Sequence, residues 1–562
     1  MLTCLFDTEC YPNYWLLKIR PVGGKSSAYR LREGQSFSNE QKTIIQNWFS
    51  QCQVISFNGI RYDVPMITAA LMGYTPEQLK LLNDKMIVHK FKHWELGLPG
   101  WAPKDHIDIM EVIPLKGPMK YGAACIHSKT IRDLPYPADT WLTDAQMNDV
   151  FDYCETDLDD LLDLFNAIQP QIEIRKSMSE KYGMDLRSKS DAQIAENVLK
   201  SRCEAKLGRS ISKSDFDWNL SFKYEPPAYL AFQSPVLQHA FQVIKDSIFR
   251  LSAGGKIELP PQIKELPLQI GVTEYQLGIG GIHSKENHVS HYSDENFILL
   301  DHDVARYYPQ LIINSKRFPL ALGESFTIEF TDIADNLLFA KRLCKRLEKE
   351  GITITIEYSK AKTEDEVGKI MINGTFGKTG SPYSVLFAPE MLIQTTITGQ
   401  RCLLMLIEWH EHYGIPVISA NTDGIVINCP REKLQTSEYL ISEWEKRTGL
   451  EMETEDYVAI YARDVNNYFA IKTPNDIKRK GEYAKAGLVE KKNPDVEICA
   501  DAVAEFLAKG TPILYTIAAS RDIRKFVAIQ KVNGGGIKLW GEGPRKGARV
   551  MDMVGVLTTN GW

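Results

Sequence analysis

Residues 1–10 read MLTCLFDTEC, and the fold of the N-terminal part turns on this stretch. Met1 to Phe6 is apolar enough for a buried strand. In an extended strand residues two apart share a face, so Asp7 and Glu9 project together. Two carboxylates held side by side repel unless a cation neutralises them. A second apolar run, Gln53 to Phe57, leads through Asn58 and Tyr62 to Asp63. The segment Asn148 to Phe165, with apolar residues at 150, 151, 154, 158, 161, 162 and 165, predicts a helix that puts Tyr153 and Asp157 one turn apart on one face. Strands and helices thus alternate through the first 170 residues, as in an α/β domain. Four carboxylates (Asp7, Glu9, Asp63, Asp157) can hold two Mg²⁺ ions about 3.5–4 Å apart, one activating water and the other stabilising a leaving 3′ oxygen. Tyr153 is placed to orient that water.

A second group of polar residues lies beyond position 300. Phe297 to Leu300 predicts a strand, and Asp303 in DVARYYP (303–309) stands at its end, ahead of a helix. Asp335 to Glu350 predicts an amphipathic helix, with Leu338, Leu343 and Leu347 inward and Lys341, Arg342, Lys345 and Arg346 outward, ended by Gly351. A second helix from about Thr363 to Gly377 would pair with it, antiparallel. It carries KIMINGTFGK (369–378), where Lys369 and Asn373 share a face and the small residues near Gly374 would let a base pair pack closely. A cation there suits a triphosphate, and Arg342 and Arg346 are expected to join Lys369 and Asn373 in binding nucleotide. Ile415 to Ile427 predicts strand, turn, strand around Asn421-Thr422-Asp423-Gly424; Asp-Gly is a strong hairpin dipeptide, and such a turn can also present a metal ligand.

The 562 residues exceed a single core, so several domains are expected. A Pro-rich connector holding Pro226, Pro227, Pro260, Pro261 and Pro267 is the place expected for a boundary. No apolar run is long enough for a membrane span and the first residues do not resemble a signal peptide, so a cytoplasmic protein with no membrane partner is expected. The ten cysteines form no C-x-x-C pair, which fits reduced, buried thiols. The net charge of −6 conceals an uneven distribution: nine acids and no Lys or Arg lie between Asp139 and Asp163. Arg521 to Arg549 is basic and includes Lys531, Lys538, Arg545 and Lys546, a candidate phosphate-contacting surface.

The N-terminal residues resemble the three exonuclease motifs of ribonuclease-H-like proofreading domains: D-x-E at Asp7 and Glu9, N-x₂₋₃-(F/Y)-D at Asn58, Tyr62 and Asp63, and Y-x₃-D at Tyr153 and Asp157. The later ones resemble motifs A, B and C of family B DNA polymerases, in that family's order. YQLGIGG (275–281) is similar to the Gly-rich connector that touches the template strand in phage members. LPYP (134–137) and the compact length also look phage-like, which would place the chain in a bacterial host cytoplasm.

The resemblance implies an α/β multidomain fold in which a ribonuclease-H-like 3′→5′ exonuclease domain (1–170) is joined by a helical and Pro-rich connection (171–270) to a polymerase module. That module would have a palm (271–331 and 379–477), fingers (332–378) and a thumb (478–562). It implies template-directed DNA synthesis from primer-template DNA and dNTPs, with two Mg²⁺ per active site and Mn²⁺ able to substitute. A monomer is expected, with replication accessory proteins as further partners. Asp303, the Val304 carbonyl and Asp423 would hold the polymerase metals, and Tyr308 would exclude ribose. Asn58, Tyr62, Gly280, Gly281, Asn467, Tyr468, Lys478, Lys480 and Arg545 would contact DNA.

The interval from Asp303 to Lys369 has no room for the extra subdomain of protein-primed members, so a nucleic-acid primer is expected. Departures from the motifs are Arg306 for Ser, Phe376 for Tyr, Asn421 for the first motif C Asp and Gly424 for Ser. The K-x-Y motif appears only as Asn466-Asn467-Tyr468, with Lys478 and Lys480 as substitutes. The alternatives are an exonuclease whose degenerate polymerase half is a DNA-binding module, and a non-enzymatic replication scaffold. A family A polymerase would need a His-Asp-Glu motif C, which the chain lacks.

Overall fold

The structure, a computed structural model, describes residues 2–115, 117–213, 220–485 and 496–529, and the backbone of two short strands at 531–532 and 557–558. Arg545, Lys538, Lys546 and Arg549 lie outside the described residues. The protein is mixed α/β and multidomain. It divides into one compact unit of Met1–Ser190 with Lys485–Cys499 and Ala519–Trp562, and another of Asp191–Ala484 with Ala500–Ala518.

In the first unit, β1 (Thr3–Tyr11), β2 (Tyr14–Pro21) and β3 (Ser27–Arg32) precede α1 (Asn39–Gln51), β4 (Gln53–Ser56), α2 (Asp63–Leu71) and α3 (Pro76–Ile87). Then come β5 (Asp105–Asp108), α4 (Met119–Cys125), α5 (Asp144–Ala167) and α6 (Gln169–Tyr182). The five strands lie in the order β3-β2-β1-β4-β5; β1 is antiparallel to β2 and parallel to β4, and β5 is parallel to β4. Alternation buries both faces of β1. Cys4 and Phe6 join one apolar cluster with Phe49, Ile67 and Leu79, and Leu5 joins another with Ile55, Ile107 and Leu158. Val527 and Ile529, far along the chain, pack into this second cluster.

The predicted helix 148–165 is longer, because Thr143 caps it in a capping box with Gln146. The acids of α5 divide by face. Glu155 takes the fully buried Lys18 at 2.7 Å, and Arg20 bridges Glu155 at 2.8 Å and Asp159 at 2.7 Å. Two of the nine acids, Glu155 and Asp159, are thereby paired by β2, while Asp157 faces β1.

The second unit begins with α7 (Asp191–Leu207), β6 (Ser221–Lys223), α8 (Pro235–Asp246), β7 (Ile248–Leu251), β8 (Ile257–Glu258) and α9 (Pro261–Lys264). Strands β9 (Leu268–Ile270), β10 (Thr273–Leu277), β11 (Ile282–Ser284), β12 (Val289–Tyr292) and β13 (Phe297–Ala305) lead into α10 (Tyr307–Ser315). After α11 (Glu324–Lys349), α12 (Ile356–Thr379) and α13 (Pro389–His412) come β14 (Val417–Asn421), β15 (Gly424–Pro430) and α14 (Leu434–Thr448). The last strands of this unit are β16 (Glu451–Tyr457), β17 (Ala459–Asp464), β18 (Asn467–Thr473) and β19 (Asp476–Arg479).

A seven-stranded sheet in the order β16-β13-β15-β14-β11-β10-β9 carries α13, whose Ile393, Ile397 and Leu403 enter the main core. The Pro-rich stretch expected to hold a boundary is instead packed: Phe222, Leu237, Ile244 and Phe249 belong to that core, and the units divide at Ser190 and Asp191. Pro235 and Pro261 lie in the first turns of α8 and α9, where no backbone donor is lost.

Helices α11 and α12 pair, as expected, but both begin earlier than predicted. Thr355 caps α12, accepting from the Tyr358 amide at 3.2 Å. Leu338 and Leu343 are only half-buried, and Leu337, Ala340, Cys344 and Leu347 form the buried seam. Gly374 faces α7 and not a base pair: a Cβ there would lie 2.4 Å from the Asp191 carbonyl oxygen. Between Tyr308 and Lys369 the chain holds only the rest of α10, α11 and the first part of α12. Among the described residues, no helix is long and apolar enough to cross a membrane.

Candidate active sites

The first site opens at the carboxyl ends of β1 and β4, a cavity of about 420 Å³ lined by Asp7, Glu9, Asn58, Tyr62, Asp63, Lys120, Tyr153 and Asp157 among others. Asp7 and Glu9 lie on the Leu5 side of β1, where α4 and α5 supply Lys120, Tyr153 and Asp157. Asp63, at the start of α2, comes from the other face and accepts from the Thr8 hydroxyl at 2.5 Å. The sequence-derived exonuclease set is therefore brought together in one cavity.

Its electrostatics are costly. Burial, followed by the charges of Asp63, Glu9 and Asp157, holds Asp7 well above the usual carboxylate range. Burial raises Glu9 likewise, with Asp157 adding to it. Asp63 is pushed up to about 7 by burial, with Asp108 adding a like charge. Burial also raises Asp157, although Lys120 opposes this. Buried Oδ1 of Asp157 finds no hydrogen-bond partner among the described residues. Four carboxylates clustered in one cavity suit hard divalent cations, so these residues fit Mg²⁺ or Mn²⁺.

Three contributors here were not in the sequence reading. Lys120 is 3% exposed; its ammonium donates to the Tyr153 hydroxyl, lies 3.4 Å from Asp157 and donates to the Arg132 carbonyl at 2.6 Å. Asp108 accepts from the amides of Asn58 at 2.8 Å, Ile60 at 3.0 Å and Met110 at 3.1 Å, pinning the loop that carries Asn58 and Tyr62. Cys154 lies with Asp7 and Glu9 in a group whose ligand atoms fall within 4.8 Å of one another. No local motif marks Lys120 or Asp108; Cys154 could have been found from its place beside Tyr153 on the inward face.

The second site lies in the other unit, where β13 and β15 pair with Asp303 opposite Gly424. The Val304 amide donates to the Asp423 carbonyl at 2.8 Å, tying the two acids' strands at this point. Asp303, Asp423, Asn466, Tyr468, Lys478 and Lys480 line one cavity of about 350 Å³. An adjoining one of about 380 Å³ shares Asp423 and is lined by Val304, Arg306, Tyr308, Lys341, Lys369, Asn373 and Phe376. Burial pushes Asp303 up to about 6, with Asp301 and Asp423 adding to it and Lys478 opposing. Burial raises Asp423 as well.

The turn is a tight two-residue hairpin with Thr422 at φ 53°. Asn421 lines the same cavity as the acids, and its amide donates to the Val465 carbonyl at 3.2 Å. Gly424 is required by proximity, since a Cβ would lie 2.2 Å from Oδ1 of Asp303 and 2.8 Å from the His302 carbonyl oxygen. Tyr308 stacks on Phe376 with ring centroids 4.7 Å apart, and its hydroxyl donates to the Gly280 carbonyl. Gly281 abuts Thr422, so the Gly-rich segment backs the turn. Arg306 points to α11, donating to the Ala334 carbonyl at 3.3 Å.

Other expected residues lie elsewhere. Arg342 and Arg346 are on the exposed face of α11, Arg342 being 3.3 Å from Glu451, and neither lines the cavity that Lys341 reaches. Lys369 lines it, held by Asp365 at 2.5 Å. Asn467 is turned into its own loop, donating to Asp464 at 2.7 Å and accepting from the Glu482 amide at 2.8 Å, so Asn466 and not Asn467 faces the acids. Asp301, which the sequence reading missed, repeats on β13 the alternation that marked Asp7 and Glu9.

No protein-family model matches the sequence, and no curated protein matches it. Among solved structures the chain is similar to the family B DNA polymerase from the hyperthermophilic archaeon Pyrobaculum calidifontis. The TM-score is 0.45 at 13% identity, covering 92% of this chain and 64% of that one. The chain thus spans less than two thirds of that protein's length.

Proposed function

We propose that the chain is a template-directed DNA polymerase that extends a primer with dNTPs and carries a 3′→5′ proofreading exonuclease. The observation that carries this reading is the pairing of Asp303 with the Asp423 turn beside a cavity lined by Tyr308, Lys369, Asn373 and Phe376. Carboxylates for divalent cations there adjoin a slot with an aromatic wall and ammonium groups, the chemistry a nucleoside triphosphate needs. The order of the resemblances, exonuclease motifs before polymerase motifs, supports it independently.

Divalent cations at each site would supply charge stabilisation for in-line phosphoryl transfer. Asp303, Asp423 and the Val304 carbonyl would hold them at the polymerase site. Lys369 would meet the triphosphate from α12, joined by Asn373. Tyr308, fixed by Gly280 and Phe376, would sit against the sugar and exclude ribose. Tyr468, Lys478 and Lys480 would hold the primer end. At the exonuclease site Asp7, Glu9, Asp63 and Asp157 would be the metal ligands, Tyr153 with Lys120 would orient the attacking water, and Asn58 and Tyr62 would hold the strand end. The five-strand order and the position of the acids at strand ends support a ribonuclease-H-like domain. The α11–α12 pair supports fingers at 332–378 set into a palm at 271–331 and 379–477, with a thumb from 478.

A labelled primer annealed to a longer template tests both halves on one gel. Extension with Mg²⁺ and dNTPs, and shortening from the 3′ end with Mg²⁺ alone, are expected. Shortening without extension would leave the chain an exonuclease with a degenerate second half.

A further inference from the structure

Asp301 stands two residues before Asp303 on β13, on the same face, and is 5% exposed. A buried carboxylate beside a metal ligand repels it, and burial of a charge without a partner is among the costliest arrangements in a core. Asp301 has two partners. Its Oδ2 accepts from the Lys478 ammonium at 2.9 Å and from the Tyr457 hydroxyl, and Lys478 also lies 2.9 Å from that hydroxyl. The three side chains, from β13, β16 and β19, close a triangle of hydrogen bonds beside the candidate polymerase acids. Lys478 is at the same time only 3.7 Å from Oδ2 of Asp303, and it lines the cavity that holds Asp303 and Asp423.

The ammonium thus has two carboxylates within reach and is bonded to the one farther from the chemistry. Were Asp301 neutral, the nearest anion left for Lys478 would be Asp303, and a lysine paired there competes directly with a divalent cation. An ammonium has three donors. Asp301 and Tyr457 take two, which leaves one for the cavity, where a phosphate oxygen of bound nucleic acid is the fitting acceptor.

We propose that Asp301 is a positioning residue: with Tyr457 it holds the Lys478 ammonium off Asp303, keeping Asp303 free for a divalent cation and presenting Lys478 to a substrate phosphate. This rests on the reading of Asp303 and Asp423 as metal ligands. It assigns a task to a buried acid that the motifs do not include.

The test is Mn²⁺ binding to the full-length chain, followed by paramagnetic resonance, so that no catalytic turnover is needed. Asp7→Ala with Glu9→Ala is used throughout to remove the other acid site. Asp301→Asn should weaken Mn²⁺ binding by roughly 10–100-fold, the range for residues that orient metal ligands. Adding Lys478→Met to Asp301→Asn should restore it to the level of the parent or tighter, because the competing ammonium is gone. A merely structural role for Asp301 gives the opposite pattern, since removing both members of the triangle would not repair a damaged fold. Unchanged Mn²⁺ binding in Asp301→Asn, or no recovery in the double variant, overturns the proposal. Absence of Mn²⁺ binding in the parent itself would instead overturn the metal-site reading, and the inference with it.

Discussion

Asp63 illustrates what single residues at these sites cost the fold. Its carboxyl is pushed up to about 7 by burial, well above the value near 3.9 of an unfolded chain. Below the lower value both states are protonated and nothing is lost. Between the two the folded state binds the proton more tightly, so stability falls as pH rises, and above about 7 the whole cost is present. Asp63→Asn should therefore melt higher than the wild type at pH 8 in chelator, by about 2–4 °C for each kcal/mol recovered, and the two should melt alike near pH 4. A melting series across pH checks this. Mg²⁺ should narrow or reverse the gap, because only the carboxylate binds it. Lys120 is the converse case, a buried cation whose loss would leave the Tyr153 hydroxyl without its donor and Asp157 without its counter-ion. Lys120→Ala should lower 3′-end degradation by on the order of 100-fold through misplacement of these groups, with extension retained, as read from paired time courses.

At the scale of elements, the β14–β15 hairpin concentrates the chemistry in four residues. Asp423→Asn should remove extension by orders of magnitude, on the order of a lost metal ligand, and leave degradation intact. Gly424→Ser places a Cβ 2.2 Å from Oδ1 of Asp303 and 2.8 Å from the His302 carbonyl oxygen and should abolish extension too. Asn421→Asp exchanges the donor facing the Val465 carbonyl for an acceptor, so it should extend more slowly than Asn421→Ala does. Single-nucleotide incorporation rates separate these variants.

The hairpin was legible from its Asp-Gly and flanking apolar runs, as β1 was from its alternation and α5 from its period. What was not legible came from long-range packing. Nothing local to Lys120 announces that α4 delivers it to Tyr153, and nothing near Gly374 says that α7 crosses there. The Pro-rich stretch misled because proline reads as a break, whereas here Pro261 begins a helix and its neighbours Ile263 and Leu268 join the core. Arg342 and Arg346 were assigned from an outward helical face that in fact meets the acids of β16.

For the whole molecule, the two acid sites belong to different compact units, each with its own core. Asp7→Ala with Glu9→Ala should accordingly abolish degradation and leave extension within about twofold, since sites that share no partners act additively. Loss of both activities in a folded protein would mean that one site serves both. The first unit also has a feature with a bearing on how the chain is made. Ile529 and Val527 pack against Leu5, Ile55 and Ile107, so Leu5 waits for partners more than 500 positions further along the chain. At roughly 5–20 residues per second, more than 500 further residues take the ribosome about half a minute to two minutes. Through that interval the N-terminal sheet has one side of its core unfinished, and a nascent chain of this protein has a long-lived apolar seam for chaperones to cover.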